Sequence, residues 1–184
     1  MQTFIMHVGH KNIIDIEDTI KRKRTINEIL EKLPIDAPER EYFEKDIVDA
    51  FPTGSFNCWG IPPAADPAFR KTRIGDLVLF LPWIGLHNGG IHQIGIIKKK
   101  IPIACWVATK ILWPRTPEGR LFPHIFFFDT EFGFRYWYDF LDDLGLNHNW
   151  NPFGWYRPIA NHRFQHWGGT EGYLRFLREE CGFK

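Results

Sequence analysis

The residues with the clearest chemistry are two tryptophans, Trp59 and Trp83, each in a stretch rich in glycine, proline and small polar residues. Such stretches are typical of loops, where a tryptophan is costly to expose unless it has something to stack against. Asn57 and Ser55 place hydrogen-bonding groups beside Trp59. Two indoles and an amide can sandwich a planar base, with stacking worth about 1–3 kcal/mol per base. The sequence therefore predicts a base-binding slot; the alternative is that both rings fill the core.

A methyl group on the base would suit this slot. It adds apolar contact with the rings and no further group that needs a hydrogen-bond partner. Flipping a base out of a duplex costs roughly a few kcal/mol, which stacking and phosphate contacts must offset. The residues favour a binding module and leave the identity of the base open.

Catalytic and metal chemistry have less support. His162 and His166 have the i, i+4 spacing of a helical metal pair, but Pro158 and Gly168 crowd that segment and no glutamate lies between them. Cys58 follows Asn57, yet nothing in the sequence nominates a base for it, so a buried thiol is favoured. The chain carries no P-loop, dinucleotide-binding or deaminase motif. We therefore expect a domain that is not an enzyme and needs no metal or cofactor.

Three short basic clusters are candidates for phosphate contacts. The net charge of +1 gives no bulk preference for nucleic acid, so local clustering must provide it. Residues 70–73 and 98–100 flank the central apolar runs of the chain, whereas residues 21–24 are expected to cover a helix surface. The predicted phosphate track beside the tryptophan loops consists of Arg70, Lys71, Arg73, Lys98 and Lys99.

Apolar periodicity predicts the strands and helices that position these side chains. Runs of strand-forming residues at 77–81 and 91–97 predict a β-hairpin whose loop carries Trp83. Thr25 and Glu28 form a capping box that begins a helix. Further strands are predicted at 3–8, 103–113 and 121–129, with a loop or short strand at 51–63, a basic turn at 98–100, and helices at 25–33, 36–51, 136–144 and from 170 onward.

Length and composition limit the size of the domain and its cellular location. A chain of 184 residues with 44% hydrophobic residues can bury the core of one domain. Three widely separated cysteines predict free thiols in a reducing compartment. No signal peptide or membrane-spanning run is evident, so a cytoplasmic protein without a membrane partner is expected. The aromatic content of 16% favours a surface that stacks against flat groups.

The order of these elements resembles the PUA-like superfamily, and within it the YTH and EVE domains, which bind modified bases. The segment with Trp59 is similar to the one that supplies the first cage tryptophan in YTH domains, although there the small residue follows the tryptophan. Trp83 is chosen from its loop position and is not transferred by a motif. The other segments that carry the resemblance are the strand at 4–8, the polar turn at 9–12, the hairpin of 75–81 with 90–97, and a late strand at 157–164 that contains Arg163.

The resemblance implies an α+β fold, a small curved sheet or open β-barrel of five or six strands with flanking helices. It implies one domain over residues 1–184, with a strand and helices in 1–52 and the barrel and C-terminal helix in 53–184. Similar domains begin McrBC-type modification-dependent restriction GTPases, where they read methylated DNA. A GTPase motor that recruits a nuclease subunit would then be fused to this one.

The function expected from the resemblance is non-catalytic recognition of a methylated DNA base, with N6-methyladenine as first choice, by flipping it into an aromatic cage. Trp59 and Trp83 would form the cage, and the phosphate track would include Arg163. The base edge would meet the polar residues Asn57, Ser55, Asn12 and His10. The alternatives are a 5-methylcytosine reader and an RNA-binding PUA/EVE-like module.

Overall fold

The computed structural model describes residues 1–9, 13–82, 89–115, 121–152 and 156–184. Within these ranges seven strands form: β1 Thr3–Val8, β2 Arg24–Thr25, β3 Ser55–Ile61, β4 Leu77–Pro82, β5 Gly90–Lys100, β6 His124–Tyr136 and β7 Arg157–Ile159. Their hydrogen-bonded order is β2-β3-β6-β5-β4-β1-β7, which leaves β2 and β7 as the edges of an open sheet. The α+β class is therefore confirmed, with more strands than expected; the PUA-like type stays a prediction.

The helices are short and are extended by π-helical and 3₁₀ turns. The α-helices are α1 Ile13–Ile16, α2 Ile26–Leu30, α3 Arg40–Tyr42, α4 Val48–Ala50, α5 Asp66–Lys71, α6 Trp106–Leu112, α7 Trp137–Asp143 and α8 Thr170–Glu180. π-Helical turns at Glu17–Lys21 and Phe43–Ile47 continue α1 and join α3 to α4, and 3₁₀ turns lie at Pro63–Ala65 and Asn161–Trp167. No helix in the described ranges is long and apolar enough to cross a membrane.

Contacts divide the chain into two compact units, each assembled from separate stretches. The first unit contains Met1–Ile13, Gly75–Ile96 and Thr130–Lys184, and the second contains Ile14–Ile74 and Ile97–Asp129. Both units take residues from either side of position 52, where the sequence suggested a subdivision. The expectation of a single domain stays a prediction.

In the first unit, β1 pairs in parallel with β4 and antiparallel with β7, and β4 pairs antiparallel with β5. Every residue of β4 is buried, as its uninterrupted apolar run predicts for a strand covered on both faces. Leu79 of this strand belongs to one buried cluster with Phe140 of α7 and Tyr173 of α8. The hairpin of β4 and β5, the first strand and the last two helices are confirmed.

In the second unit, β3 pairs antiparallel with β6 over Asn57–Phe128 to Ile61–His124. Its core contains an aromatic group in which Phe56 lies 5.1 Å from Phe127, with the rings edge to face. The capping box is confirmed, because the Glu28 amide donates to the Thr25 hydroxyl at 3.2 Å.

Several local predictions were wrong. Residues 103–113 form a loop and the helix α6, not a strand: the buried residues Cys105, Ala108, Thr109 and Leu112 follow helical spacing despite a strand-like composition. Lys98–Lys100 end strand β5 and are not a turn. Of the loop and the short strand that were both expected at 51–63, the strand forms, so that Trp59 lies inside β3. Arg163 lies in a 3₁₀ turn and not in a late strand.

Candidate nucleic-acid interface

In the first unit, the register of the strands brings the flanks of three predicted loops to the same end of the sheet. Val8 pairs with Pro82, so the parallel strands β1 and β4 end at the same level. Strand β7 runs antiparallel to β1, and Tyr156, just before it, stacks on Phe4 at 4.7 Å with the rings 3° from parallel. We call the end of the sheet at which β1 and β4 end and β7 begins the loop edge. His10, Asn12 and Trp83 lie outside the described residues, in segments that adjoin the loop edge in sequence.

Gly89 and Gly90, which follow the predicted Trp83 loop, contact the residues at the C-terminal end of β6. The Trp137 amide donates to the Gly89 carbonyl at 2.9 Å. A Cβ atom on Gly90 would lie 2.1 Å from the Arg135 carbonyl oxygen, so only glycine permits this approach. The segment that returns from the predicted Trp83 loop therefore packs directly against the residues on either side of Tyr136.

Three aromatic rings line this junction, and we call them the aromatic ladder: His92, Phe134 and Tyr136. The Phe134 ring lies 4.8 Å from His92 and 4.5 Å from Tyr136, edge to face in both cases. Tyr136 is 58% exposed, and Phe132, two residues before Phe134 on the same face of β6, is 42% exposed. An exposed pair of large rings on one strand face is typical of a surface that stacks against flat groups.

The opposite face of β6 is covered, which explains why Phe132 and Tyr136 are exposed. Glu131 accepts two hydrogen bonds from Arg178 of α8, at 2.8 and 2.5 Å. Gly133 lies under the Phe183 ring, where a Cβ would approach to 2.5 Å. Arg135 donates to both carboxylate oxygens of Asp143, at 2.9 and 2.6 Å. The alternation of a strand then leaves the even-numbered aromatic residues outside.

Asp143 anchors the helix that follows the ladder. Besides Arg135, its carboxylate accepts the Tyr173 hydroxyl at 3.0 Å, and its backbone carbonyl accepts the Trp167 indole N–H at 2.9 Å. Burial, together with the Asp143 carboxylate, raises the pKa of Tyr173 well above its usual range. Tyr173 therefore stays a hydrogen-bond donor, and these contacts hold the C-terminal end of α7, the helix that begins just after Tyr136.

The other predicted base-binding residues belong to the second unit. Trp59 is only 4% exposed. The Asn57 amide donates to the Thr19 and Ile20 carbonyls at 3.2 and 2.9 Å, and the Ser55 hydroxyl lies 3.4 Å from that of Thr53. The Trp59 ring is packed and the Asn57 amide group is engaged with backbone. Their contact with a base stays a prediction that requires this packing to open.

The predicted phosphate-binding residues differ in how strongly the fold engages them. Lys99 pairs with Asp46, and Arg70 pairs with Asp66 at 2.6 Å. The Arg163 guanidinium donates to the Gly145 carbonyl at 2.6 Å, at the C-terminal end of α7. Lys71 and Arg73 are exposed, and Lys98, also exposed, pairs with Asp129. Lys100, the third lysine of the 98–100 cluster, donates to the Phe69 and Thr72 carbonyls at 2.8 and 2.6 Å, at the end of α5.

Within the described residues, no group of three histidine, cysteine or acidic side chains is arranged to hold a metal ion. His162 and His166 lie in a 3₁₀ turn, where residues four apart no longer share a face. Burial raises the pKa values of the Cys58 and Cys105 thiols, which keeps both protonated.

The comparisons with known proteins identify the fold. No protein-family profile and no curated protein sequence matches the chain. Among solved structures, the chain is similar to the N-terminal domain of Thermococcus gammatolerans McrB bound to m5C DNA, with a TM-score of 0.65 and 19% sequence identity. The match covers 97% of this chain and 98% of that one, so the two share an α+β fold from end to end.

Proposed function

We propose that the chain is a non-catalytic domain that binds DNA carrying a methylated base, and that the base is 5-methylcytosine. The observation that carries this proposal is the end-to-end fold similarity to a McrB N-terminal domain solved on m5C DNA. The resemblance to base-reading domains made N6-methyladenine the first choice; the ligand of the solved relative now favours the alternative. The methyl group of 5-methylcytosine likewise adds apolar contact without a new hydrogen-bonding requirement.

The loop edge of the first unit is the proposed reading site. His10, Asn12 and Trp83 belong to segments that adjoin this edge in sequence, and Tyr136 is an exposed ring beside the returning chain. Stacking on Trp83 and Tyr136 would offset the cost of flipping the methylated base. His10 and Asn12 would provide hydrogen bonds to the edge of the base.

The proposed context is the targeting module of a modification-dependent restriction system, joined to a GTPase motor that recruits a nuclease subunit. This context rests on the McrB relative and on the resemblance described above. A role on DNA agrees with the cytoplasmic location expected from the sequence.

The test is a fluorescence-anisotropy titration with four labelled ligands of one sequence: a duplex with 5-methylcytosine, one with N6-methyladenine, an unmodified duplex and a matched RNA. We expect the 5-methylcytosine duplex to bind at least tenfold more tightly than the unmodified duplex, in line with about 1.4 kcal/mol of added apolar contact and stacking.

Equal affinity for the modified and unmodified duplexes would exclude a methyl reader. Preference for N6-methyladenine would restore the first choice made from the sequence. Tighter binding of the RNA would favour the RNA-binding alternative, for which exposed aromatic rings on a strand, such as Phe132 and Tyr136, are a suitable platform.

A further inference from the structure

Two lysines from distant parts of the second unit share one carboxylate. Lys23 lies 3.1 Å from one Asp129 oxygen, and Lys98, at the end of β5, pairs with the other. The three side chains are 54%, 45% and 39% exposed, in the order Lys23, Lys98, Asp129. We call this group the lysine seat.

The charges of the lysine seat do not cancel. Partial burial raises the pKa of Asp129, but the hydrogen bonds and charges of Lys98 and Lys23 outweigh it, so that the pKa of Asp129 is lowered overall. The carboxylate is therefore ionised at neutral pH and leaves one positive charge in excess. Lys98 is further held by the Phe51 ring, whose centroid lies 5.3 Å from its Nζ.

The neighbouring residues add to the excess. Arg22 and Arg24 both pair with Glu28, at the start of α2, and Arg22 is 67% exposed. Four cations, Lys23, Lys98, Arg22 and Arg24, therefore share the two carboxylates of Asp129 and Glu28. An ammonium has three N–H donors, so Lys23 and Lys98 each keep donors for an anion on the solvent side.

We propose that the lysine seat binds one phosphate of the DNA backbone, with Lys23 and Lys98 as donors and Asp129 as the group that limits their net charge. This proposal rests on the proposed function, because it takes DNA as the anion. A phosphate contact is independent of base sequence and methylation, and it appears in the salt dependence of binding. The seat therefore supplies affinity, and the loop edge supplies discrimination.

The test measures the binding of an unmodified duplex between 50 and 200 mM salt, a range over which phosphate contacts are strongly screened. We expect K23Q and K98Q each to weaken binding and to reduce the slope of log K against log [salt] by about 0.9, the value for one phosphate contact. D129N should tighten binding and steepen the slope, since it removes the competing negative charge. K45Q is the matched control: Lys45 is an exposed lysine of the same unit that pairs with Glu41.

Two results would overturn the lysine seat: K23Q and K98Q slopes equal to those of wild type and K45Q, or no binding of the unmodified duplex by wild type at 50 mM salt. D129N with unchanged or weaker binding would overturn the role of Asp129. The proposed function is judged separately, by the ratio of affinities for methylated and unmodified duplexes. K23Q and K98Q are expected to leave this ratio unchanged, so the two proposals fail in different measurements.

Discussion

At the scale of single residues, Tyr136 adds to the proposed reading site an aromatic ring that the sequence did not predict. Its ring is exposed and touches Phe134. The next residue, Trp137, donates its backbone N–H to the Gly89 carbonyl. Periodicity could not select Tyr136, because its exposure depends on which face of β6 is covered by α8 and the C-terminal residues. Trp83, by contrast, could be proposed from local composition alone, because it is a large aromatic residue among glycines and polar residues.

Replacing Tyr136 with Ala should weaken binding of the 5-methylcytosine duplex. Loss of one stacking ring corresponds to about 1–3 kcal/mol, or roughly 5- to 150-fold in Kd. The matched control is W106A, which removes an exposed ring (47%) at the start of α6. Titration of both variants decides the matter: an equal loss in W106A, or none in Y136A, would contradict the assignment.

Trp59 and Trp83 should respond differently to replacement by Ala. Trp59 is buried in β3, so W59A should lower the free energy of unfolding by about 3–5 kcal/mol. W83A should instead reduce the preference for methylated DNA. Urea unfolding and duplex titration of both variants separate the two roles. A W59A protein of unchanged stability that has lost its methyl preference would support the original pairing of Trp59 with Trp83 in one cage.

At the scale of elements, α6 shows why a strand-like composition is not sufficient to predict a strand. One oxygen of the buried Glu39 carboxylate accepts the backbone N–H groups of Val107 and Ala108, at 2.8 and 2.9 Å. It thereby satisfies donors that begin the helix without a partner. Glu39 lies almost seventy positions earlier in the chain, so no local pattern could reveal this cap.

Replacing Glu39 with Ala should destabilise the protein by about 2–4 kcal/mol, because two hydrogen bonds to a buried charged group are lost. The control is E41A, at an exposed position two residues later, where a change within about 0.5 kcal/mol is expected. Urea unfolding curves measure both. Equal midpoints for E39A and E41A would show that α6 does not depend on this cap.

Most other elements could be predicted because their determinants are local. The capping box of Thr25 and Glu28, the proline after each early helix and the apolar run of β4 all act within a few residues. The loop edge and the lysine seat could not be predicted in the same way. The loop edge depends on the parallel register of β1 and β4, and the seat depends on Lys23 and Asp129, which are 106 positions apart.

For the molecule as a whole, a partly buried histidine in each unit links stability to pH, His7 in the first unit and His124 in the second. Burial lowers the pKa of His7 in the first unit below its ordinary value of 6.5. Burial also lowers the pKa of His124 in the second unit, aided by Arg70 and opposed by Asp66. Both folded pKa values lie below the unfolded value, so the unfolded chain binds more protons in acid.

The free energy of unfolding should therefore be highest above pH 6.5 and should fall as the pH drops from 6.5 toward 5. Urea midpoints at pH 7.5 and pH 5 measure the effect. The double variant H7N/H124N should flatten this dependence. If the variant keeps the full loss of stability in acid, other groups account for it.

The parallel pairing of β1 with β4 also has a consequence for biosynthesis. The partners of the first strand lie far along the chain: Thr3 pairs with Leu77 of β4 and with Ile159 of β7. Ribosomes extend chains at about 5–20 residues per second, so β1 emerges seconds before β4 and longer before β7. The apolar residues of β1 therefore stay exposed until β4 has been made, and during that time they are a binding site for chaperones that shield nascent chains.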